Sequence, residues 1–307
     1  MTTRQPHRDP RLIDLPPLPP RPRDGHKGTF GTVLVVGGSS DKSTRMIGAP
    51  ALAGLGALRA GCGLCKLMMP APLLNAALSS LTSATGLPLP VDDDDQMIPF
   101  ESVAAFDRAS RDATCIVIGP GLGSSEAARA LVLRAVQRET PPLVIDADAL
   151  NVLASIPDLF RDFHAAAILT PHPGEFRRLA QAFRITHDPA REESRAPAAD
   201  ALAQKLGAIV VLKGARTVVS DGQRTWACPA GDPCMATAGS GDVLAGVTAG
   251  LVAQHARQGH DLFDCARAAV AAHALAGESW ASRNATAGML ASELANLIPA
   301  GLDALRC

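Results

Sequence analysis

The 307-residue chain contains no tyrosine, and phenylalanine and tryptophan bring its aromatic content to only 3%. So small a supply of flat rings argues against the stacking platforms that grip single-stranded nucleic acid. An excess of charge is also missing: 29 Lys and Arg against 30 Asp and Glu leave a formal net charge of -1. A chain so balanced has no electrostatic pull toward nucleic acid or an anionic membrane. No uninterrupted apolar run approaches the ~18 residues of a membrane-spanning helix, and no basic-then-apolar leader stands at the N-terminus. A soluble, cytoplasmic protein without nucleic-acid or membrane partners is expected. Cysteine is present but unorganised: seven residues, with Cys62 and Cys65 forming one C-x-x-C that no second pair or Cys/His cluster completes. Zinc sites and disulfide frameworks need such partners, so buried thiols in a reducing compartment are expected.

What the chain has in quantity is apolar residues, 47% of the total, enough for a substantial core. Residues 1–26 are polar and carry Pro10, Pro16, Pro17, Pro19, Pro20 and Pro22. They read as an extended arm, with residues 27–307 as a single domain. Beyond the arm, short apolar runs alternate with helical patterns. Strands are expected at 32–37, 64–69, 115–118, 143–145, 167–169 and 209–212, and a hairpin around Asp221-Gly222. Helices are expected at about 49–60, 124–137, from Glu175 to about 183, 198–206, 261–281 and 288–297, with 188–197 as a charged loop. This alternation predicts an α/β fold with a mostly parallel sheet covered on both faces.

The stretch Met235-Ala-Thr-Ala-Gly-Ser-Gly-Asp242 leads into an apolar pattern in which Val243, Leu244, Val247 and Leu251 share one helix face. Glycines before a helix N-terminus make an anion site, because free N–H groups and the helix dipole both favour negative charge. Asp242 stands among those donors. It is either a helix cap or a general base held beside a phosphate-binding nest, and the local sequence leaves both open. Other chemistry-bearing residues fall at the carboxyl ends of predicted strands, where open α/β sheets bind ligands: Gly119-Pro-Gly-Leu-Gly123, Asp146 and Asp148, Thr170-Pro-His-Pro-Gly-Glu175, and Lys213-Gly-Ala-Arg-Thr217. Each alone has a bland reading as a turn, a cap or a solvated side chain. Their gathering at one sheet edge points to a site.

Together with Lys27-Gly-Thr-Phe-Gly31, Val35-Val-Gly-Gly-Ser39 and Gly48-Ala-Pro50, these segments resemble the NAD(P)H-hydrate dehydratases of the ribokinase-like superfamily, in the family's order and over nearly the whole chain. The resemblance implies a three-layer α/β/α fold with a central, mostly parallel sheet of about eight or more strands and no separate lid. It implies transfer of a phosphoryl group from ADP or ATP, with Mg2+, to the ring hydroxyl of hydrated NADH or NADPH (NADHX or NADPHX, S epimer). Phosphate then leaves and the dihydronicotinamide returns. Asp242 would be the base, and Gly239, Ser240 and Gly241 the anion nest. Ala49, Gly121, His172 and Asp242 would contact the hydrate. Lys213, Gly214, Ala215, Arg216, Thr217 and Gly241 would contact the nucleotide, and Asp146 and Glu175 would serve magnesium or phosphate. The Thr170-Pro-His172 form leans toward ADP. Ala238 stands where relatives commonly have glycine, and Met46 and Ile47 stand where a tyrosine is frequent. The resemblance also implies homo-oligomerisation and, since residues 1–26 are too few for an epimerase domain, a separate epimerase. The alternatives are a superfamily kinase for a vitamin-type alcohol and a silent nucleotide-binding protein.

Overall fold

The computed structural model describes residues 9–40, 44–156 and 158–306. In chain order its elements are β1 (Thr32–Val36), β2 (Ser39–Ser40), β3 (Arg45–Met46), α1 (Gly48–Ala60), β4 (Leu64–Pro70), α2 (Ala71–Ser80), β5 (Thr85–Leu89), α3 (Pro99–Ala109), β6 (Cys115–Ile118) and α4 (Glu126–Val136). There follow β7 (Leu143–Ile145), α5 (Asp148–Ala154), β8 (Ala167–Leu169), α6 (Pro173–Phe183), α7 (Glu192–Leu206), β9 (Ile209–Leu212), β10 (Val218–Ser220), β11 (Thr225–Ala227), α8 (Ser240–His255), α9 (Leu262–Ala281) and α10 (Ala291–Asp303).

Nine strands form one sheet in the order β11-β10-β9-β8-β7-β6-β1-β4-β5. Only β10 runs against its neighbours, pairing antiparallel with β9 and β11. Strand side chains alternate between two cores, because successive residues point to opposite faces. Val33 and Val35 of β1 enter the core shared with α1, α8, α9 and α10, while Leu34 and Val36 enter the one shared with α3 to α7. From β1 the chain steps through α1 to β4 and β5 on one side, then returns to lay β6, β7, β8 and β9 on the other. Strand order therefore reverses at β1. The segments leaving β1 and β6 meet there, Gly38 N donating to Pro120 O at 3.0 Å, at the carboxyl edge where open α/β sheets bind ligands.

Helix α8 is buried all along its length from Val243 to His255, not on a single stripe. That is the mark of a helix enclosed in a core. Two expectations need correction. The charged segment 188–197 is not all loop, since α7 begins at Glu192 and runs through Pro197. The last helix extends past 297 to Asp303. The proline-rich segment is irregular over most of residues 9–26, yet Leu12, Leu15 and Leu18 are buried in the α8–α10 core. All six described cysteines are buried and unpaired. Among the described residues no helix is long and apolar enough to cross a membrane.

Candidate active site

The residues singled out from the sequence lie at the carboxyl edge of the sheet. Asp146 follows β7, Thr170 follows β8 and Lys213 follows β9, so three adjacent parallel strands deliver an acid, a hydroxyl and a base side by side. Lys213 Nζ donates to Asp146 Oδ1 at 2.7 Å and lies 3.8 Å from Glu175 Oε2. Thr170 Oγ1 donates to the same Asp146 oxygen, also at 2.7 Å. Asp146 is 1% exposed and Glu175 5%, so neither carboxylate is accompanied by much solvent. Burial pulls the Lys213 ammonium down, but Asp146, Glu175 and Asp242 outweigh it and hold its pKa above the ordinary value. Burial raises the pKa of Glu175; Asp146 adds to that shift, and Lys213 opposes it.

Over this cluster sits the start of α8. Gly239 is its N-cap at φ +86°, a left-handed conformation open to glycine and strained for other residues, and no side chain caps the helix. Asp242 is thus not a cap; it is the third helical residue. The N–H groups of Gly241 and Asp242 have no protein acceptor among the described residues, as first-turn amides ordinarily do not. A Cβ built on Gly241 would lie 3.3 Å from Lys213 Nζ, which places the ammonium directly beneath the glycine turn. Burial, reinforced by the charge of Asp146 and opposed by Lys213, pushes the Asp242 carboxyl up to about 7. A carboxyl near neutrality beside an ammonium and two free amides can take a proton at physiological pH.

The remaining residues form the walls. Gly121 turns at φ +61°, and a Cβ there would stand 2.9 Å from Met46 Cβ and 3.5 Å from Ala49 Cβ. Ala49 and Leu52 lie three apart on α1, hence on one face, and Leu52 packs under Gly239. One helix thereby connects the Gly121 turn to the nest. His172 caps α6: its Nδ1 accepts from Gly174 N at 2.9 Å and Glu175 N at 3.4 Å, while Glu175 Oε2 accepts from His172 N at 2.8 Å. Its ring is half exposed. Gly214, Ala215 and Arg216 form an exposed loop above Lys213, with Thr217 Oγ1 donating to Gly214 O at 3.0 Å.

Thr170 is marked by its motif but given no partner there, and two further participants carry no sequence signal. Thr170 anchors Asp146, and Arg195 of α7 donates to the carbonyls of Leu212 and Lys213 at 2.9 and 3.2 Å. His273 of α9 reaches the Ser240 carbonyl at 3.0 Å. Asp148, a possible cap by sequence, instead accepts from Gly123 N at 2.9 Å and fixes the glycine turn after β6. Among the described residues no three His, Cys, Asp or Glu side chains converge to hold a metal ion.

A mostly parallel sheet with a glycine turn feeding a buried helix, and an aspartate at that helix's third residue, defines a ribokinase-like fold. A ribokinase-like superfamily protein from Enterococcus faecalis V583 shares it at TM-score 0.75 and 23% identity, covering 94% of this chain and 92% of that one. Residues 33–300 match the family model for NAD(P)H-hydrate dehydratase, and the chain belongs to that family. An ADP-dependent (S)-NAD(P)H-hydrate dehydratase of Xanthomonas campestris is 38% identical over 283 residues, 92% of this chain and 91% of that protein. The Bacillus subtilis ADP/ATP-dependent NAD(P)H-hydrate dehydratase, co-crystallised with ATP/Mg2+, superposes at TM-score 0.75 with 27% identity, covering 95% of this chain and 99% of that one. The chain spans about half the length of other curated relatives. The bifunctional NAD(P)H-hydrate repair enzyme of Salinibacter ruber, 37% identical over 283 residues, is covered over 50% of its length, against 92% of this chain.

Proposed function

We propose that this chain restores NADH and NADPH from their S hydrates by nucleotide-dependent dehydration, with ADP as the preferred donor. The observation that carries the reading is Asp242: a carboxyl held near neutrality in the first turn of a helix where the Gly241 and Asp242 amides have no acceptor among the described residues, with Lys213 beneath. In this reading Asp242 takes the proton of the ring hydroxyl, and the freed oxygen attacks the terminal phosphorus of the nucleotide. The P–O bond to the donor breaks as the new one forms. Phosphate then departs with the ring C–O bond, the adjacent carbon gives up a proton, and the ring double bond returns. Hydroxide is a poor leaving group and phosphate a good one, which is why a nucleotide is consumed.

Gly239, Ser240 and Gly241 would receive the charge on the moving phosphoryl group, and Lys213 would neutralise it from below. Gly214 to Thr217 would line the nucleotide, while Ala49, Gly121 and His172 would hold the hydrated ring. Magnesium suits this edge only in one manner. It usually keeps several waters and takes one or two carboxylates along with substrate phosphates, and Asp146 and Glu175 would supply that outer contact, since the described residues form no protein cage. Bound there, the ion would neutralise nucleotide phosphate charge. Homo-oligomerisation belongs to the same reading, as does interconversion of the hydrate epimers by a separate protein.

The test is near-ultraviolet absorbance of the reduced nicotinamide, followed with hydrated NADH, magnesium and either ADP or ATP. Growth with ADP is expected. Nucleotide turnover on another alcohol with no absorbance change would overturn the reading in favour of a kinase.

A further inference from the structure

We propose that His273 is a positioning residue for the anion nest: its Nε2–H donates to the carbonyl oxygen of Ser240 and thereby fixes and polarises the peptide whose N–H, on Gly241, faces the phosphoryl group in transfer. The inference rests on the functional reading above.

His273 lies on α9, is 7% exposed, and projects to the first turn of α8. Its Nε2 is 3.0 Å from Ser240 O and 3.3 Å from Ser240 Oγ. A carbonyl oxygen has no hydrogen to give, so the contact at 3.0 Å requires the proton on Nε2. The ring is neutral at working pH, since burial pulls its pKa down to about 4. Ser240 Oγ then meets an N–H and accepts, and its own hydrogen stays free to turn elsewhere. The peptide between Ser240 and Gly241 is planar and trans, so its C=O and N–H point in opposite directions. A donor on the oxygen makes the far N–H a stronger donor, by about 10–30% in chains of such bonds. It also locks the plane of the amide at the point where the helix has no earlier turn to hold it. Packing α8 against α9 would need only an apolar side chain at 273. The imidazole supplies a directed N–H.

Three measurements test this. In the wild-type protein, nitrogen-15 NMR of the imidazole should show the Nε2–H tautomer; an Nδ1–H tautomer would overturn the proposal without any variant. The Gly241 amide proton should move upfield in His273→Leu and return toward its wild-type position in His273→Gln, whose amide can still donate. A shift that ignores the donor would count against us. In turnover, His273→Leu should lower kcat by about 10-fold or more, below the 10²–10³ of losing an oxyanion donor outright, with KM for the hydrate little changed and His273→Gln recovering most of it. Equal losses in the two variants, or a loss confined to KM, would sink the idea. If wild type itself fails to turn over the hydrate, the functional reading falls, and the two NMR measurements still judge the role of His273.

Discussion

Asp242 sits where a helix N-terminus favours an anion, yet burial and the nearby Asp146 hold its carboxyl near 7. Three expectations come from that balance. Measured across pH, kcat/KM for the hydrate should climb through about pH 7, because that parameter reports the free enzyme's base. Asp242→Asn should reduce turnover by about 10²–10⁴-fold. Its effect on stability has the opposite sign. A carboxyl whose pKa is raised on folding costs stability increasingly as pH rises from its unfolded value through its folded one. Thermal melts at pH 8 should therefore show Asp242→Asn above wild type, with the gap closing toward pH 4. Lys213 is the counterweight. Lys213→Met should move the kcat/KM profile to higher pH, since the charge that opposes the rise of Asp242 is gone. It should also cost about 3–5 kcal/mol in denaturant titration by leaving Asp146 and Glu175 buried without their cation. Asp242, Lys213, Asp146 and Glu175 were legible because each ends a strand or begins a helix, a position that sequence pattern marks. Thr170 was legible as part of its motif but not in its bond to Asp146, and Arg195 and His273 were not legible at all. What they do depends on a contact with a residue distant in sequence, and no local pattern encodes that.

Between elements, the decisive contact is α1 against α8. A Cβ on Gly246 would stand 1.9 Å from the carbonyl oxygen of Ala53. The two helices meet backbone to backbone, closer than side chains would permit. Gly246→Ala should cost about 1–3 kcal/mol, as overpacking in a filled core does. It should also lower kcat, because α1 props Gly239 through Leu52 and any shift of α8 tilts the nest. A melt and a rate assay on that one variant check both halves. Strands such as Cys115–Ile118 and Ile209–Leu212 are buried apolar runs ended by turn residues, and they stand where the pattern put them. By contrast α2, β5 and α3 carried no assignment: β5 holds Gly86 and Pro88 and is mostly uncovered, so it lacks both the alternation and the apolar density that mark a strand. Helix α7 was shortened by the ordinary rule that proline ends a helix. The burial of Ala198, Ala199, Leu202 and Ala203 offsets the hydrogen bond lost at Pro197.

At the scale of the molecule, residues 9–21 and the stretch after α10 close over the helical layer that carries the nest. Composition alone made the proline-rich segment an extended arm, since prolines and charges outnumber its leucines. Three of those leucines nonetheless lie in the core, and Leu18 N donates to Leu305 O at 2.9 Å. Arg11 pairs with Glu278 of α9 through two bonds of 2.9 and 2.7 Å, and Arg21 donates to Gly61 O at 2.7 Å and Gln254 Oε1 at 3.0 Å. These ties reach α8, α9 and the end of α1, the helices that frame Asp242 and His273. Adjacent residues separate a docked segment from a merely adjacent one. Leu12 is fully buried, while its neighbour Ile13 is 75% exposed. Leu12→Ala should cost about 2 kcal/mol or more, the lower end for a buried leucine, and lower Tm by several degrees at about 2–4 °C per kcal/mol. Ile13→Ala should leave Tm within about one degree, as exposed substitutions away from special features do. Turnover per folded molecule should survive both, because neither side chain touches the site. An undocked arm would make the two substitutions indistinguishable, and equal melting temperatures would show that the leucines contribute nothing to holding the α8–α10 layer in place.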